Sequence, residues 1–394
     1  MNWPIVTLQD ALASAEVFVD GDWVESKDQD PDGDVRLVQL ADVGDGEYVD
    51  KSDRFLTSDR ARALRCTFLE PGDVLVARMP DPLGRACIFP GDSKPSVTVV
   101  DVCIIRPDAK KHDLRWLMHC LNGPASRNQI ARYATGTTRS RISRGNLGKI
   151  RIPLPPLSQQ QRIAEVLDKA DALRAKRRAA LGQLDVLTQS IFLNMFGHPA
   201  ENTKALPTIA LSDLGDWQSG GTPPRERTEY FGGTVPWFSS GELDQMYLFQ
   251  SKERVTASAL LETSAKPVPL GSLMLGMYDS AALKAGIAGV DCSCNQAVAF
   301  ARIDNQVAES IYVYFAIVVG REHFRRQQRG VRQKNLNLTM VREIQIPLPS
   351  LDLQRRFAVQ VDEIRRLKDR QLAAIIEMDA LFACLQHRAF RGEL

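Results

Sequence analysis

Two stretches of this chain carry seam residues at the three-and-four spacing of a long helix, and they carry them at matching places. In the first, the seam runs Ile163, Leu167, Ala170, Arg174, Arg177, Leu181, Leu184, Thr188 and Ile191. In the second it runs Phe357, Val361, Ile364, Lys368, Gln371, Ile375, Met378, Phe382 and Leu385. Both seams are apolar at their ends and polar in the middle. The spacing predicts a helix of about 36 residues in each, roughly 54 Å long. That exceeds one face of a globular domain, so the two helices are expected to pair with each other as a coiled coil. The polar middle would help fix their register at a cost in stability. Loop length excludes neither direction of pairing, whereas the symmetry of two like units favours an antiparallel pair about a two-fold axis.

The likeness extends beyond the seam. Aligned without gaps, the 34 residues from Ile152 and the 34 from Ile346 share 13 identities, among them Pro153/Pro347, Gln160/Gln354, Arg162/Arg356 and Asp168/Asp362. Chance at average composition would give roughly two or three. Each copy opens on an extended Ile-Pro-Leu-Pro run, which proline keeps out of the helical region. Ser158 and Asp352 stand where a helix N-cap is expected. Gly197 and Gly392 stand just past the expected ends.

The repeat divides the chain into residues 1–151, a central helix at 152–197, residues 198–345 and a C-terminal helix at 346–394. The two globular segments share weaker traces. Strand-like runs occur at Val35–Leu40 and Val235–Ser239, and glycine turns lead into apolar strands at Pro71–Val76 and Leu270–Leu275. Glycine-marked hairpins follow at Gly84-Arg85 and Lys284-Ala285-Gly286, then β runs at Ser96–Ile105 and Ala297–Ile303. Each segment therefore reads as an α+β domain with a curved antiparallel sheet.

Net charge is only +2, so global charge does not announce a polyanionic partner, but local charge does. Arg139, Arg141, Arg144, Lys149 and Arg151 cluster without an acid. The matching place in the second half holds Arg321, Arg325, Arg326, Arg329, Arg332 and Lys334 against Glu322 alone. Both clusters contain a glycine-led loop, with Thr137 and Thr138 in one and Gln333 and Asn335 in the other. Hydroxyls, amides and arginines are the groups that contact phosphates and base edges. Arg36, Gln39, Arg78, Arg85 and Lys284, on the strand and hairpin traces, complete the candidate DNA-binding set. The acid-rich stretch from Asp20 to Asp53 is expected to be a solvated loop or edge facing away from DNA.

Chemistry of other kinds finds no motif. There is no NPP[YFW] methyltransferase motif, no GxxxxGK[ST] nucleotide loop and no HExxH, and Cys292-Ser293-Cys294 lacks a second cysteine pair. No catalytic residue, cofactor or metal is therefore assigned. Seven scattered cysteines suit reduced thiols. With no visible signal peptide and no apolar run long enough to span a membrane, the expected location is the cytoplasm.

The doubled Ile-Pro-Leu-Pro-Pro/Ser-Leu-x-x-Gln-x-Arg-Ile/Phe helix opening resembles the specificity subunit of Type I restriction-modification systems. So do the Gly136-Thr137-Thr138 loop and the Tyr230–Trp237 block, and the resemblance covers essentially the whole chain. It implies two target-recognition domains separated by an antiparallel helix pair, and a bipartite double-stranded DNA target with an unread gap set by helix length. It also implies partners: modification subunits that use S-adenosylmethionine to methylate adenine, and ATP-driven restriction subunits. The chain itself would hold neither catalysis nor cofactor. One departure is that the family's glutamate before the motif glutamine is replaced by Gln159 and Leu353. A standalone DNA methyltransferase or nuclease and a protein-binding coiled-coil adaptor are the alternatives.

Overall fold

The structure, a computed structural model, describes residues 3–136, 139–326 and 335–394. In chain order the first half forms β1 (Ile5–Thr7), α1 (Leu8–Ala11), β2 (Val17–Asp20), β3 (Val35–Val38), β4 (Phe55–Leu56), α2 (Ser58–Ala63), β5 (Val74–Ala77), β6 (Ala86–Ile88), β7 (Ser96–Thr98) and β8 (Val102–Arg106). There follow α3 (Leu114–Asn122), α4 (Pro124–Tyr133), α5 (Arg144–Gly148), β9 (Arg151–Pro153) and the 40-residue α6 (Leu157–Phe196). The second half forms β10 (Thr208–Ala210), β11 (Gln218–Ser219), β12 (Phe231–Phe238), β13 (Tyr247–Leu248), β14 (Glu253–Val255), α7 (Ala257–Glu262), β15 (Pro267–Val268), β16 (Leu273–Gly276), β17 (Ala285–Ala288), β18 (Cys292–Cys294) and β19 (Val298–Ala301). It closes with α8 (Ser310–Arg326), α9 (Leu338–Arg342), β20 (Gln345–Pro347) and the 39-residue α10 (Leu351–Ala389).

The chain divides into two units, one of residues 1–178 with 373–394 and one of residues 179–372. Each long helix thus gives its first part to one unit and its last part to the other. Within unit 1 the start of α6 (Ile163, Leu167) shares a core with the end of α10 (Phe382, Leu385, Ala389). Within unit 2 the end of α6 (Phe192, Phe196) shares a core with the start of α10 (Phe357, Val361). The pairing inside each unit is therefore antiparallel, and every seam position expected from the sequence is buried or half-buried. The polar middle is filled by ion pairs. In unit 1 Arg174 meets Asp379 at 2.7 Å with its guanidinium 4.2 Å above the Phe382 ring, and in unit 2 Lys368 pairs with Asp185.

The sheets differ from the expected single antiparallel layer. Unit 1 has a four-stranded sheet, β2-β8-β5-β6, and a three-stranded one, β4-β3-β7. Unit 2 has a five-stranded sheet, β11-β19-β16-β17-β13, and a four-stranded one, β14-β12-β18-β15. The smaller sheet of each unit contains a parallel pair, β3 with β7 and β12 with β18. The run Ser96–Ile105, expected as one strand, breaks in two. A tight turn (Val102 N–H to Val99 O, 2.9 Å) moves the chain from β3's side to the sheet of β2 and β5. The two units nevertheless share a strand order, β2-β8-β5-β6 matching β11-β19-β16-β17 and β4-β3-β7 matching β14-β12-β18, with β13 and β15 added in unit 2. Gly21 and Gly220 sit at the same crossing, where an added Cβ would lie 2.3 Å from the carbonyl oxygens of Val99 and Cys294 respectively.

The repeated motif has a structural reading. Ile152 and Ile346 are buried in two-stranded clips, opposite Val6 of β1 and Ile209 of β10. Each helix starts two residues earlier than expected. Gln160 N–H donates to Pro156 O (3.0 Å) and Gln354 N–H to Ser350 O (3.1 Å), so Ser158 and Asp352 stand inside the first turn rather than at the cap. The glutamines are buried. Gln160 Oε1 accepts from the Asp113 N–H at the start of α3 (2.9 Å) while its amide donates to Pro155 O (2.9 Å). Gln354 repeats this with the Glu309 N–H (2.9 Å) and Pro349 O (2.8 Å). Gly197 and Gly392 end the helices at φ +75° and +78°, in the region that favours glycine.

In unit 1 a further link ties α3 to α6. His119 Nε2 lies 2.7 Å from Asp168 Oδ1, and Arg115 donates to the other oxygen at 3.1 Å. Burial works against the Asp168 carboxylate, but the His119 hydrogen bond and charge, with Arg115, outweigh it and leave its pKa below the ordinary 3.8.

Gln160→Ala or Gln354→Ala should each cost about 1–3 kcal/mol in chemical denaturation, because a buried backbone N–H loses its acceptor. Gln161→Ala, on the exposed face of α6, should stay within about 0.5 kcal/mol. The Asp168 contribution is present at neutral pH and lost as pH falls through the depressed pKa, so Asp168→Asn should flatten the loss of stability below about pH 4. Denaturation across pH 2–6 checks this.

Candidate nucleic-acid interface

In unit 1 the loop after α4 closes as a small hairpin in which Thr135 and Arg141 exchange backbone hydrogen bonds (2.9 and 2.8 Å). Gly136 turns it at φ +103°. Arg78, at the end of β5, holds its base. The Arg78 carbonyl accepts from the Ile142 N–H (3.1 Å), and its Nε donates back to Ile142 O (2.9 Å). The same guanidinium reaches Val100 O at 3.0 Å and the Asp20 carboxylate at 2.5 Å. Arg139 is exposed and, among the described residues, has no hydrogen-bond or ion-pair partner. Arg141 pairs with Asp101 at 3.0 Å, and the exposed Arg144 donates to Phe18 O at 2.7 Å. Thr137 and Thr138 lie outside the described residues.

A second tip lies beside this hairpin, between β5 and β6. Arg85 organises it from within: Nη1 donates to Met79 O (3.2 Å) and Pro82 O (3.1 Å), Nη2 to Leu40 O (2.8 Å) and Nε to Val43 O (2.5 Å). Burial pushes the pKa of this guanidinium down from its ordinary value. Arg127 on α4 adds a bond to Leu83 O (3.0 Å) and a pair with Asp45 (2.7 Å).

Unit 2 repeats the frame. Leu336 N–H donates to Met277 O at 2.7 Å, as Ile142 does to Arg78, and Leu283 N–H meets Gly276 O at 2.8 Å, as Gly84 meets Ala77. Lys284 occupies the place of Arg85 and donates to Gly241 O (3.2 Å), while Arg321 takes the role of Arg127, donating to Ala282 O (2.9 Å) and Ser280 O (2.7 Å). Arg325 meets Glu322 at 3.4 Å, and Arg326 is exposed. Asn335 is half-buried. Arg329, Arg332, Gln333 and Lys334 lie outside the described residues.

Several candidates therefore change role. Arg78 and Arg85 are 5% and 7% exposed, so neither presents its guanidinium to a ligand. Arg36 is enclosed by Asp50, Asp92 (3.0 Å) and Ser52 O (2.9 Å). Gln39 caps a short turn, closing a reciprocal box with the buried Asp42. The acid-rich stretch is not merely solvated. Asp42 also accepts from the backbone of Lys51 and Ser52 at 2.7 and 2.6 Å, Asp28 pairs with Arg60 at 2.5 Å, and Asp20 holds Arg78. Among the described residues no group of three metal-ligating side chains forms, and no helix is long and apolar enough to cross a membrane. Cys292 and Cys294 are buried in β18, where burial raises both thiols, Cys292 to about 12.

One family model matches twice, once in each half: the Type I restriction modification DNA specificity domain, at residues 65–183 and 206–376. The chain belongs to this family. A type I restriction enzyme specificity subunit of Escherichia coli is 25% identical over 276 residues, 66% of this chain and 65% of that relative. The match thus leaves about a third of that relative's length uncovered. The EcoBI specificity subunit of Escherichia coli is 23% identical over 339 residues, 77% of this chain and 70% of its own length. A solved chain described under complex assembly and conformational transition of the type I R-M system superposes with a TM-score of 0.65 at 18% identity, over 100% of this chain and 98% of its own. The S subunit of a Type-I restriction-modification system from M. genitalium gives 0.53 at 15%, covering 99% and 96%. These two share the fold, mixed helix and sheet with long helices.

The buried and exposed arginines should separate cleanly in stability. Arg78→Met should cost roughly 2–4 kcal/mol, since it strips Asp20 and two carbonyls of their donor. Arg139→Ala should change denaturation by no more than about 0.5 kcal/mol.

Proposed function

We propose that this chain is the DNA-reading specificity subunit of a Type I restriction-modification assembly. Residues 1–151 and 198–345 act as its two target-recognition domains, each reading one half of a bipartite double-stranded target. The observation that carries this reading is one frame built twice, with different tips. The same backbone bond recurs at the ends of β5 and β16, from the Ile142 N–H to Arg78 O and from the Leu336 N–H to Met277 O, while Arg85 at the first tip has Lys284 as its counterpart at the second. A protein that needs one binding surface has no use for two such frames; a reader of two unlike half-sites does.

The chain directs chemistry without performing it. Modification subunits carry S-adenosylmethionine and methylate adenine in the bound target, and ATP-driven restriction subunits cut or translocate. The assembly works in the cytoplasm. Arg139, exposed and without a partner among the described residues, supplies a contact that positions or reads DNA, whereas Arg78 and Arg85 hold loops.

A footprint of the chain with its modification partner should show two protected arms flanking an unprotected gap. One continuous protected site overturns the two-domain reading. Arg139→Ala should weaken binding. If the contact is to phosphate, the loss is even over all sequences and the slope of log K against log salt falls by about one. An unchanged affinity and slope removes Arg139 from the interface.

A further inference from the structure

The β5–β6 tip of unit 1 carries an exposed carboxylate, Asp81, whose charge favours the cationic form of the buried Arg85. Pro80, Asp81 and Pro82 are all exposed. The carbonyls on either side are occupied: Met79 O and Pro82 O accept from Arg85, and Leu83 O accepts from Arg127. Among the described residues Asp81 has no hydrogen-bond or ion-pair partner. The two prolines restrict the backbone on each side of it. The tip is thus held before any ligand arrives, and it presents a carboxylate that has no hydrogen-bond or ion-pair partner among the described residues.

The position of that carboxylate is informative. The tip adjoins the Thr135–Arg141 bridge through the Ile142 N–H to Arg78 O bond. Of the arginines around it, Arg78, Arg127 and Arg141 are paired with Asp20, Asp45 and Asp101, Arg85 is buried, and Arg139 and Arg144 on the neighbouring loop are exposed. An acid there is repelled by phosphates, but a carboxylate only accepts hydrogen bonds, and the groove partners that only donate are exocyclic amino groups. Arg85 itself is a buried cation held by carbonyls without a carboxylate at ion-pair distance, a costly arrangement that a solvated hairpin would not need.

We propose that Asp81 is a specificity-determining residue of unit 1, accepting a hydrogen bond from a base's exocyclic amino group, as from cytosine N4, in the major groove. Arg85 is the positioning residue that holds the tip at the right height. This rests on the reading of unit 1 as a DNA-recognition domain.

The experiment selects bound duplexes from a library randomised over both half-sites, using the full chain with its modification partner, as wild type, Asp81→Asn and Asp81→Ala. Unchanged melting temperatures establish that the variants fold. The expected result is a loss of about tenfold in discrimination at one base pair of one half-site, with the other half-site unaffected. Binding that strengthens evenly on all sequences, or preferences that stay the same at every position, overturns the assignment. A wild-type complex that selects no sequence at all overturns the functional reading itself, and the role of Asp81 with it.

Discussion

Each unit depends on the meeting of the first turns of one long helix with the last turns of the other. A helix of 40 residues with a seam apolar at both ends draws its stability from covering those ends. In unit 2 the cover is aromatic: Phe192 stacks on Tyr312 and Phe315, tilts against Phe196 and meets Phe357 edge-on, at centroid distances of 5.2–6.1 Å. In unit 1 it is aliphatic, with Leu167 and Leu385 in a core that also takes Trp116. The ion pairs at the polar middle are partly exposed and contribute under about 1 kcal/mol each. Their value lies in direction and register, since Asp379 meets both Arg174 and Arg178 only in this alignment.

On that foundation the chain builds one frame twice and finishes it differently. The glutamine clamp, the two-stranded clip, the glycine crossing and the loop-pinning bonds recur at equivalent places. The finishing residues do not. The cation under the first tip is an arginine with four carbonyl bonds in unit 1 and a lysine with one in unit 2. Backbone-to-backbone pinning tolerates such replacement because it asks nothing of the side chains beyond it. A recognition surface can then vary while the helices and clips stay fixed.

The helices were legible in the sequence because periodicity is a local property that survives any tertiary context. The same holds for the extended Ile-Pro-Leu-Pro run and for Gly197 and Gly392, whose positive φ follows from helix termination itself. The sheets were legible only as strands. Which strands pair, and that Ser96–Ile105 turns at Val99 to change sheets, depends on contacts distant in sequence. The candidate surface was the least legible part. Nothing near Arg78 in the sequence distinguishes it from Arg139, and its burial depends on Asp20, Val100 and Ile142, up to 64 residues away. Asp81 stands between two prolines, a pattern that by itself marks only a turn. Its significance comes from the occupied carbonyls around it.

This bears on how charge should be read in such a chain. Fifty cations and 48 acids nearly cancel, and much of the cancellation is internal: Arg36, Arg60, Arg78, Arg106 and Arg127 all pair with aspartates. A cluster of arginines in sequence therefore overstates the charge a ligand meets. Arg321 belongs to the second cluster by position, yet its guanidinium is committed to two backbone carbonyls. The field at a DNA surface comes from what is left over once loops have been held in place. In unit 1 that remainder includes the exposed Arg139 and the exposed Asp81. A surface with few free charges of either sign, each on a stiff backbone, suits discrimination between bases better than strong attraction to phosphate, because an even attraction carries no sequence information.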